Sequence, residues 1–175
     1  AEQIASSTIH SFGLELLRNL DEPFWGRTND FSVINPQENE NFITELSDKL
    51  GEKISKSKLE SISRLKAQLI TPDDMPKEML EKLPDNFPQI YKAFEEKLTD
   101  SNSVDYDDLI NLPVKILRNN PEIRRYYLNR YSTIAVDEFQ DINRAQYELF
   151  KVFAIAAKDV CVIGDPDQSI YGFRG

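Results

Sequence analysis

The chain has almost no sulfur or imidazole: Cys161 and His10 are the only residues of their kinds among 175. One cysteine excludes an intramolecular disulfide framework and fits a reducing cytoplasm. One cysteine and one histidine also leave a zinc site without its usual ligands. Cys161 stands inside a short apolar run, where a small buried thiol is the expected role. No apolar run approaches the roughly 18 residues a membrane-spanning helix needs, and no secretory leader is visible, so no membrane partner is expected. The string Gly-x-x-x-x-Gly-Lys-[Ser/Thr], which presents backbone N–H groups and a lysine to phosphates, does not occur. Positive charge is in deficit, with 21 basic against 30 acidic residues and a net charge of −9. The deficit is concentrated between Asp21 and Asp105, which hold 18 acidic and 11 basic residues, net −7. Attraction of a polyanion by the whole surface is therefore excluded, and any such contact must be local.

What is present is concentrated near the end of the chain. Thr133-Ile134-Ala135-Val136 runs into Asp137-Glu138-Phe139-Gln140-Asp141. Val160-Cys161-Val162-Ile163 runs into Gly164-Asp165-Pro166-Asp167-Gln168-Ser169-Ile170-Tyr171-Gly172-Phe173-Arg174-Gly175. Each apolar run is short and rich in β-branched residues, and reads as a buried strand. Residues 143–157 between them read as the crossover helix that joins parallel strands. In an α/β sheet, ligands gather at the carboxyl ends of the strands, so the two polar clusters read as one composite site. Asp137 suits a Mg²⁺ ligand, directly or through a water, because hard cations take oxygen donors. Glu138 suits the group that orients and deprotonates an attacking water, and Gln168 is a neutral amide able to sense a terminal phosphate. On these residues alone the other reading stays open, in which Asp137 and Glu138 only cap the following helix.

The full strings are more specific than an acid pair after a strand. They resemble the second and third motifs of the UvrD/Rep/PcrA-like DNA helicases of superfamily 1. Asp105-Tyr106-Asp107-Asp108-Leu109-Ile110 is similar to the family's Asp-Phe-Asp-Asp-Leu segment. Ser7-Thr8-Ile9-His10-Ser11 is similar to its Ser-Thr-Phe-His-Ser motif, with Ile9 in place of Phe. The resemblance implies an α/β fold: a partial RecA-like parallel sheet of the P-loop NTPase type, with a mostly α-helical inserted subdomain. Residues 1–20 and 104–175 would belong to the motor domain and 21–103 to the insert. It implies ATP and Mg²⁺ as cofactors, with Asp137 and Gln168 facing the nucleotide and Glu138 catalytic. It implies single-stranded DNA and duplex junctions as substrates, with translocation from 3′ to 5′. Thr8 and His10 would contact DNA at the strand-to-helix turn, where Thr8 or Ser11 also suits a helix cap.

Tyr171, Phe173 and Arg174 have the composition of a single-strand platform, in which rings stack on bases and a cation meets a phosphate. Phe173 stands where the family most often has Trp, so its stacking face is smaller; local packing is the other reading of the two rings. With Gln168 three residues before Tyr171, one loop reaches from nucleotide to DNA. The chain begins with Ala, and it reads as a piece of a longer protein whose remainder supplies the phosphate loop and a second motor domain. Alone it is expected neither to turn over ATP nor to unwind DNA. Two other readings of the parent remain: a helicase subunit of a RecB- or AddA-like recombination nuclease, and a DNA-binding relative that no longer hydrolyses ATP.

The rest of the chain reads mainly as helices. Residues 4–8 suggest a strand or strand end and 10–20 a helix. Residues 21–35 suggest a loop pinned by Phe24, Trp25 and Phe31, with base stacking as a second reading of Trp25. Asn35-Pro36 has the pattern of a helix start, so a helix is expected over 36–50, stopping at Gly51. A helix over 57–70 puts Leu59, Ile62, Leu65 and Leu69 inward. Lys53, Lys56, Lys58, Arg64 and Lys66 then lie outside, as a solvated face or a contact to duplex phosphates. Helices are expected over 76–83 and 88–99, then a turn at 101–103. Asp105 should cap a helix over 106–118 that contains Pro113, and Asn120-Pro121 should start the next. An incomplete sheet would leave a strand edge exposed.

Overall fold

The computed structural model describes residues 5–20 and 26–168. In chain order they form α1 (Ile9–Arg18), β1 (Ser32–Val33), α2 (Glu40–Leu50), α3 (Lys56–Ala67), α4 (Lys77–Leu80) and α5 (Phe87–Asp100). There follow β2 (Ser103–Val104), α6 (Asp108–Asn119), α7 (Pro121–Leu128), β3 (Thr133–Val136), α8 (Arg144–Ala154) and β4 (Asp159–Val162). The fold is mixed α/β and mostly helical. β1 pairs in parallel with β2, and β3 in parallel with β4.

Short polar side chains set the starts of α1, α2, α3 and α8 by accepting otherwise unpaired N–H groups. Asn39, not Asn35, opens α2: its Oδ1 accepts from Phe42 N at 2.9 Å. Asn35 Oδ1 instead accepts from Gln37 N at 3.2 Å and closes its own turn. Gly51 ends α2 in the left-handed region, φ 63°, where a Cβ would be strained. Ser55 caps α3, and Asn143 with Gln146 forms a reciprocal capping box on α8. Asp105 Oδ1 accepts from Asp108 N at 2.8 Å, and Asp105 N donates to Asp108 Oδ2 at 3.3 Å. That exchange opens α6 two residues later than the sequence reading.

Three expectations are corrected. Residues 5–8 contain no strand, because a strand exists only against a partner and none pairs with them among the described residues. The stretches read as loop and turn instead hold β1 and β2, with Ser32 opposite Ser103 and Val33 opposite Val104. The strand expected to be buried at Val160–Val162 is exposed throughout, with Val162 at 50% and Ile163 beyond it at 54%. Cys161 is exposed with it. A parallel strand is buried only when flanked and covered on both faces, and β4 has one hydrogen-bonded neighbour among the described residues.

Among the described residues two apolar clusters form the core. One gathers Leu16, Leu17, Phe31, Val104, Leu109, Val114, Leu117, Leu149 and Phe153 around α1, α6 and α8. The other gathers Phe42, Leu46, Leu59, Ile62, Leu65, Ile90, Phe94 and Leu98 from α2, α3 and α5. At Gly13 the α1 backbone meets α6 directly. A Cβ there would lie 1.8 Å from the Leu109 carbonyl oxygen, so only glycine fits. Arg18 fixes the segment after α1, stacking 4.0 Å over the Phe31 ring and donating to Phe31 O at 2.6 Å.

Lys66, read from the sequence as outward-facing, is 2% exposed. Its Nζ lies 2.8 Å from Asp105 Oδ2, 2.7 Å from Asp108 Oδ1 and 3.0 Å from Glu95 Oε1. Arg27 closes the cluster, donating through Nε to Ser103 O at 2.6 Å and standing 3.9 Å from Asp108. Burial alone would lower the Lys66 pKa, but the Asp105, Asp108 and Glu95 carboxylates outweigh it and hold it well above the ordinary lysine value. Burial first, and the Asp108 carboxylate second, push the Asp105 carboxyl up to about 7 against the pull of Lys66.

Lys66→Met should cost about 3–5 kcal/mol near neutral pH, because it strands buried carboxylates. Without the ammonium the Asp105 pKa rises further above its unfolded value. The folded state then binds protons that the unfolded state does not, and this contribution is lost as pH rises. The variant's deficit should therefore be largest above neutral pH and shrink as pH falls toward about 7, where the parent's Asp105 takes up its own proton, read by urea unfolding across that range.

Candidate functional site

The parallel register sets Val136 opposite Val162, so the carboxyl ends of β3 and β4 lie side by side. Past the strands the pairing continues: Ile163 N donates to Val136 O at 2.8 Å, and Phe139 N donates to Ile163 O at 2.9 Å. The chain turns sharply at Glu138, which takes the left-handed conformation (φ 52°, ψ 41°). For a residue with a Cβ this is strain of about 1 kcal/mol or more, tolerated where the surroundings over-determine it. Asp137 Oδ1 accepts from Glu138 N at 2.9 Å, and both carboxylates are exposed. A 3-10 turn over Phe139–Asp141 follows, with Phe139 packed edge-on to Tyr147 and Phe150 of α8.

Two residues to which the sequence reading gave no role join the strand ends. Gln140 Nε2 donates to Glu138 Oε2 at 2.6 Å, while Gln140 Oε1 accepts from Asp165 N at 3.0 Å. Asp165 in turn accepts from Gln168 Nε2 at 2.7 Å and from Asp167 N at 3.0 Å. Glu138 and Gln168, from different strand ends, are thus connected through Gln140 and Asp165. Gly164 makes room for this: a Cβ there would fall 2.6 Å from Gln140 Oε1. An amide two residues after an acid pair is the signal that would have found Gln140, since an amide offers a donor and an acceptor on one terminus.

The donor chemistry fits Mg²⁺. Among the described residues no group of three or more His, Cys, Asp or Glu converges on one point. Asp137 offers a single exposed carboxylate, and Mg²⁺ in nucleotide sites takes one or two carboxylates and completes its shell with water and phosphate oxygens.

A second group lies at the start of α1. The Thr8 hydroxyl accepts from Ser11 N at 3.1 Å and donates to Ser11 Oγ at 2.9 Å, so Thr8 is the helix cap. The half-buried His10 ring lies 5.6 Å from Tyr106, tilted by 53°. Burial lowers the His10 pKa, with the Asp107 carboxylate opposing, so the imidazole is neutral at physiological pH. Tyr106 is 61% exposed beside it. The signal for Tyr106 in the sequence is a large ring among three acids, Asp105, Asp107 and Asp108, with little to bury it. Tyr171, Phe173 and Arg174 lie outside the described residues, as do Phe24 and Trp25. The structure therefore brings Asp137, Glu138 and Gln168 into one group and Thr8 and His10, with Tyr106, into another.

Parallel strands with polar carboxyl ends, joined by a crossover helix beside further helices, make this a partial RecA-like α/β fold. The chain belongs to the UvrD/REP helicase N-terminal domain family, which it matches over residues 1–175. It is 37% identical over 181 aligned positions to the ATP-dependent DNA helicase PcrA of Staphylococcus aureus, and 36% identical to that of Staphylococcus epidermidis. Each alignment covers 100% of this chain and 24% of the relative, so the chain spans about a quarter of the length of these proteins.

Thr8→Ala should destabilise the α1 start by about 1 kcal/mol, the usual cost of losing such a cap. Thr8→Ser should restore it. Thermal unfolding of the three proteins side by side checks both.

Proposed function

We propose that the full-length protein containing this chain is an ATP-dependent DNA helicase. It would couple Mg-ATP hydrolysis to 3′–5′ movement along single-stranded DNA and to opening of duplex junctions. The observation that carries this reading is the joined pair of strand ends, with Asp137 and Glu138 on one and Gln168 on the other, in a chain of the UvrD/REP family. In this reading residues 1–20 and 104–175 are motor domain and 21–103 an insert. The rest of the polypeptide supplies the phosphate-binding loop and a second motor domain. Such a protein works on DNA in the cytoplasm.

Each residue has a task that its chemistry suits. Asp137 holds Mg²⁺, directly or through a water. When bound, Mg²⁺ offsets phosphate charge and fixes the phosphates for in-line attack. Glu138 accepts a proton from the attacking water as its oxygen approaches phosphorus. The Gln168 amide donates to a terminal phosphate oxygen and registers whether it is present. On the other group, the Thr8 hydroxyl and the neutral His10 imidazole make uncharged hydrogen bonds to the DNA backbone or a base, and the exposed Tyr106 ring stacks on a base. Tyr171, Phe173 and Arg174 extend that platform. Lys66, bound up in its buried cluster, takes no part in duplex contact. Lys53 and Lys56 remain on the exposed side, and Lys58 is paired with Glu52.

Glu138→Gln in the full-length protein should lower ATP turnover by about 10²–10⁴-fold, the usual worth of a general base, while leaving ATP bound. Single-turnover hydrolysis beside equilibrium nucleotide binding checks this; unchanged turnover would sink the assignment. The isolated 175-residue chain, which has no phosphate loop of its own, should show no DNA-stimulated ATP hydrolysis above background in a phosphate-release assay.

A further inference from the structure

We infer that Gln140 is a positioning residue, the piece that sets the Glu138 carboxylate according to the state of the second strand end. The inference rests on the proposed role of Glu138 and goes beyond it. The Gln140 amide spans the gap between the two strand ends with both of its functions engaged. Its Nε2 donates to Glu138 Oε2 at 2.6 Å and its Oε1 accepts from the Asp165 backbone N–H at 3.0 Å. Asp165 carries the connection onward, because its Oδ2 accepts from Gln168 Nε2 at 2.7 Å. A shift of Gln168 toward or away from a ligand pulls on Asp165, moves the acceptor end of the Gln140 amide, and turns the donor end against Glu138.

Three observations favour a relay over a simple turn contact. First, the bridge needs a side chain with a donor at one terminus and an acceptor at the other. The Gln140 amide supplies both; a carboxylate of the same shape keeps the Asp165 contact and loses the one to Glu138. Second, the backbone opposite is cut back to admit it: a Cβ at Gly164 would lie 2.6 Å from Gln140 Oε1 and 3.3 Å from Gln140 N. Third, Glu138 sits in a strained left-handed conformation, φ 52°. The Gln140 contact is a side-chain hydrogen bond that fixes the carboxylate beyond that backbone turn.

The test uses the full-length protein with three changes, Gln140→Glu, Gln140→Ala and Glu138→Gln. Steady-state ATP hydrolysis with single-stranded DNA, equilibrium binding of a non-hydrolysable ATP analogue, and amide hydrogen exchange over residues 163–168 are measured for each. Gln140→Glu should lose on the order of 10²-fold in kcat, as a misplaced catalytic group does. Its KM and analogue affinity should stay at the parent values, and its Asp165 amide should stay protected. Gln140→Ala should lose kcat similarly and also exchange the Asp165 amide faster. If Gln140→Glu hydrolyses at the parent rate while Glu138→Gln is inactive, the relay is overturned and the role of Glu138 stands. If the Gln140 variants lose kcat, analogue binding and exchange protection together, Gln140 only holds the turn and the relay is again overturned. If Glu138→Gln itself hydrolyses ATP normally, the underlying assignment fails.

Discussion

One buried ammonium ties this molecule together. Lys66 reaches from α3 into a cluster of carboxylates drawn from α5 and from the turn that opens α6. A charge taken out of water is tolerated only where partners surround it closely, so these three elements can meet in few other ways. The same turn carries Tyr106 and starts α6, which in turn packs α1, α7 and α8. From α8 the chain passes directly into β4. Both candidate groups therefore hang from elements that the cluster and α6 hold in place.

At the strand ends the order comes from parallel pairing rather than from burial. β3 and β4 share one register through four residue pairs, and the hydrogen bonding runs on past the strands to Ile163 and Phe139. That continuation levels the two polar turns, and the side-chain amides of Gln140 and Gln168 close the space between them. Polar groups at such an exposed place would ordinarily be satisfied by water. Here Glu138, Gln140, Asp165 and Gln168 are hydrogen-bonded to one another, which gives the site a defined shape among the described residues.

Much of this was legible in the sequence because it depends on local pattern. The stripes of α2, α3 and α5, the stop at Gly51, the strands β3 and β4 and the acid–amide clusters after them all follow from spacing or turn chemistry. What escaped depends on distant partners. Lys66 sits in a helix whose neighbouring bases face outward, and its carboxylates lie 29, 39 and 42 residues away; no local pattern reveals that. β1 and β2 are two residues each, too short for alternation to show. Asn35 and Asn39 both offer cap chemistry, and only the three-dimensional turn decides between them. The apolar character of Val160, Cys161 and Val162 was read correctly as strand and wrongly as buried. Composition records what a surface prefers to touch, and the described residues do not cover it. Gln140 stands two residues after the acid pair, but its worth appears only when Asp165 is brought beside it.

The contact at Gly13 has a mechanical meaning. Most helix pairs meet through side chains, which act as deformable padding and let one helix slide on the other by small rotamer changes. Between α1 and α6 at this point the Gly13 main chain meets the Leu109 main chain directly, flanked by the rigid ring of Pro113. The N-terminus of α1 bears Thr8 and His10, and the turn into α6 bears Tyr106. These groups thus belong to one stiff jaw, and a ligand gripped there would be displaced by moving the whole jaw, not by flexing its two sides apart.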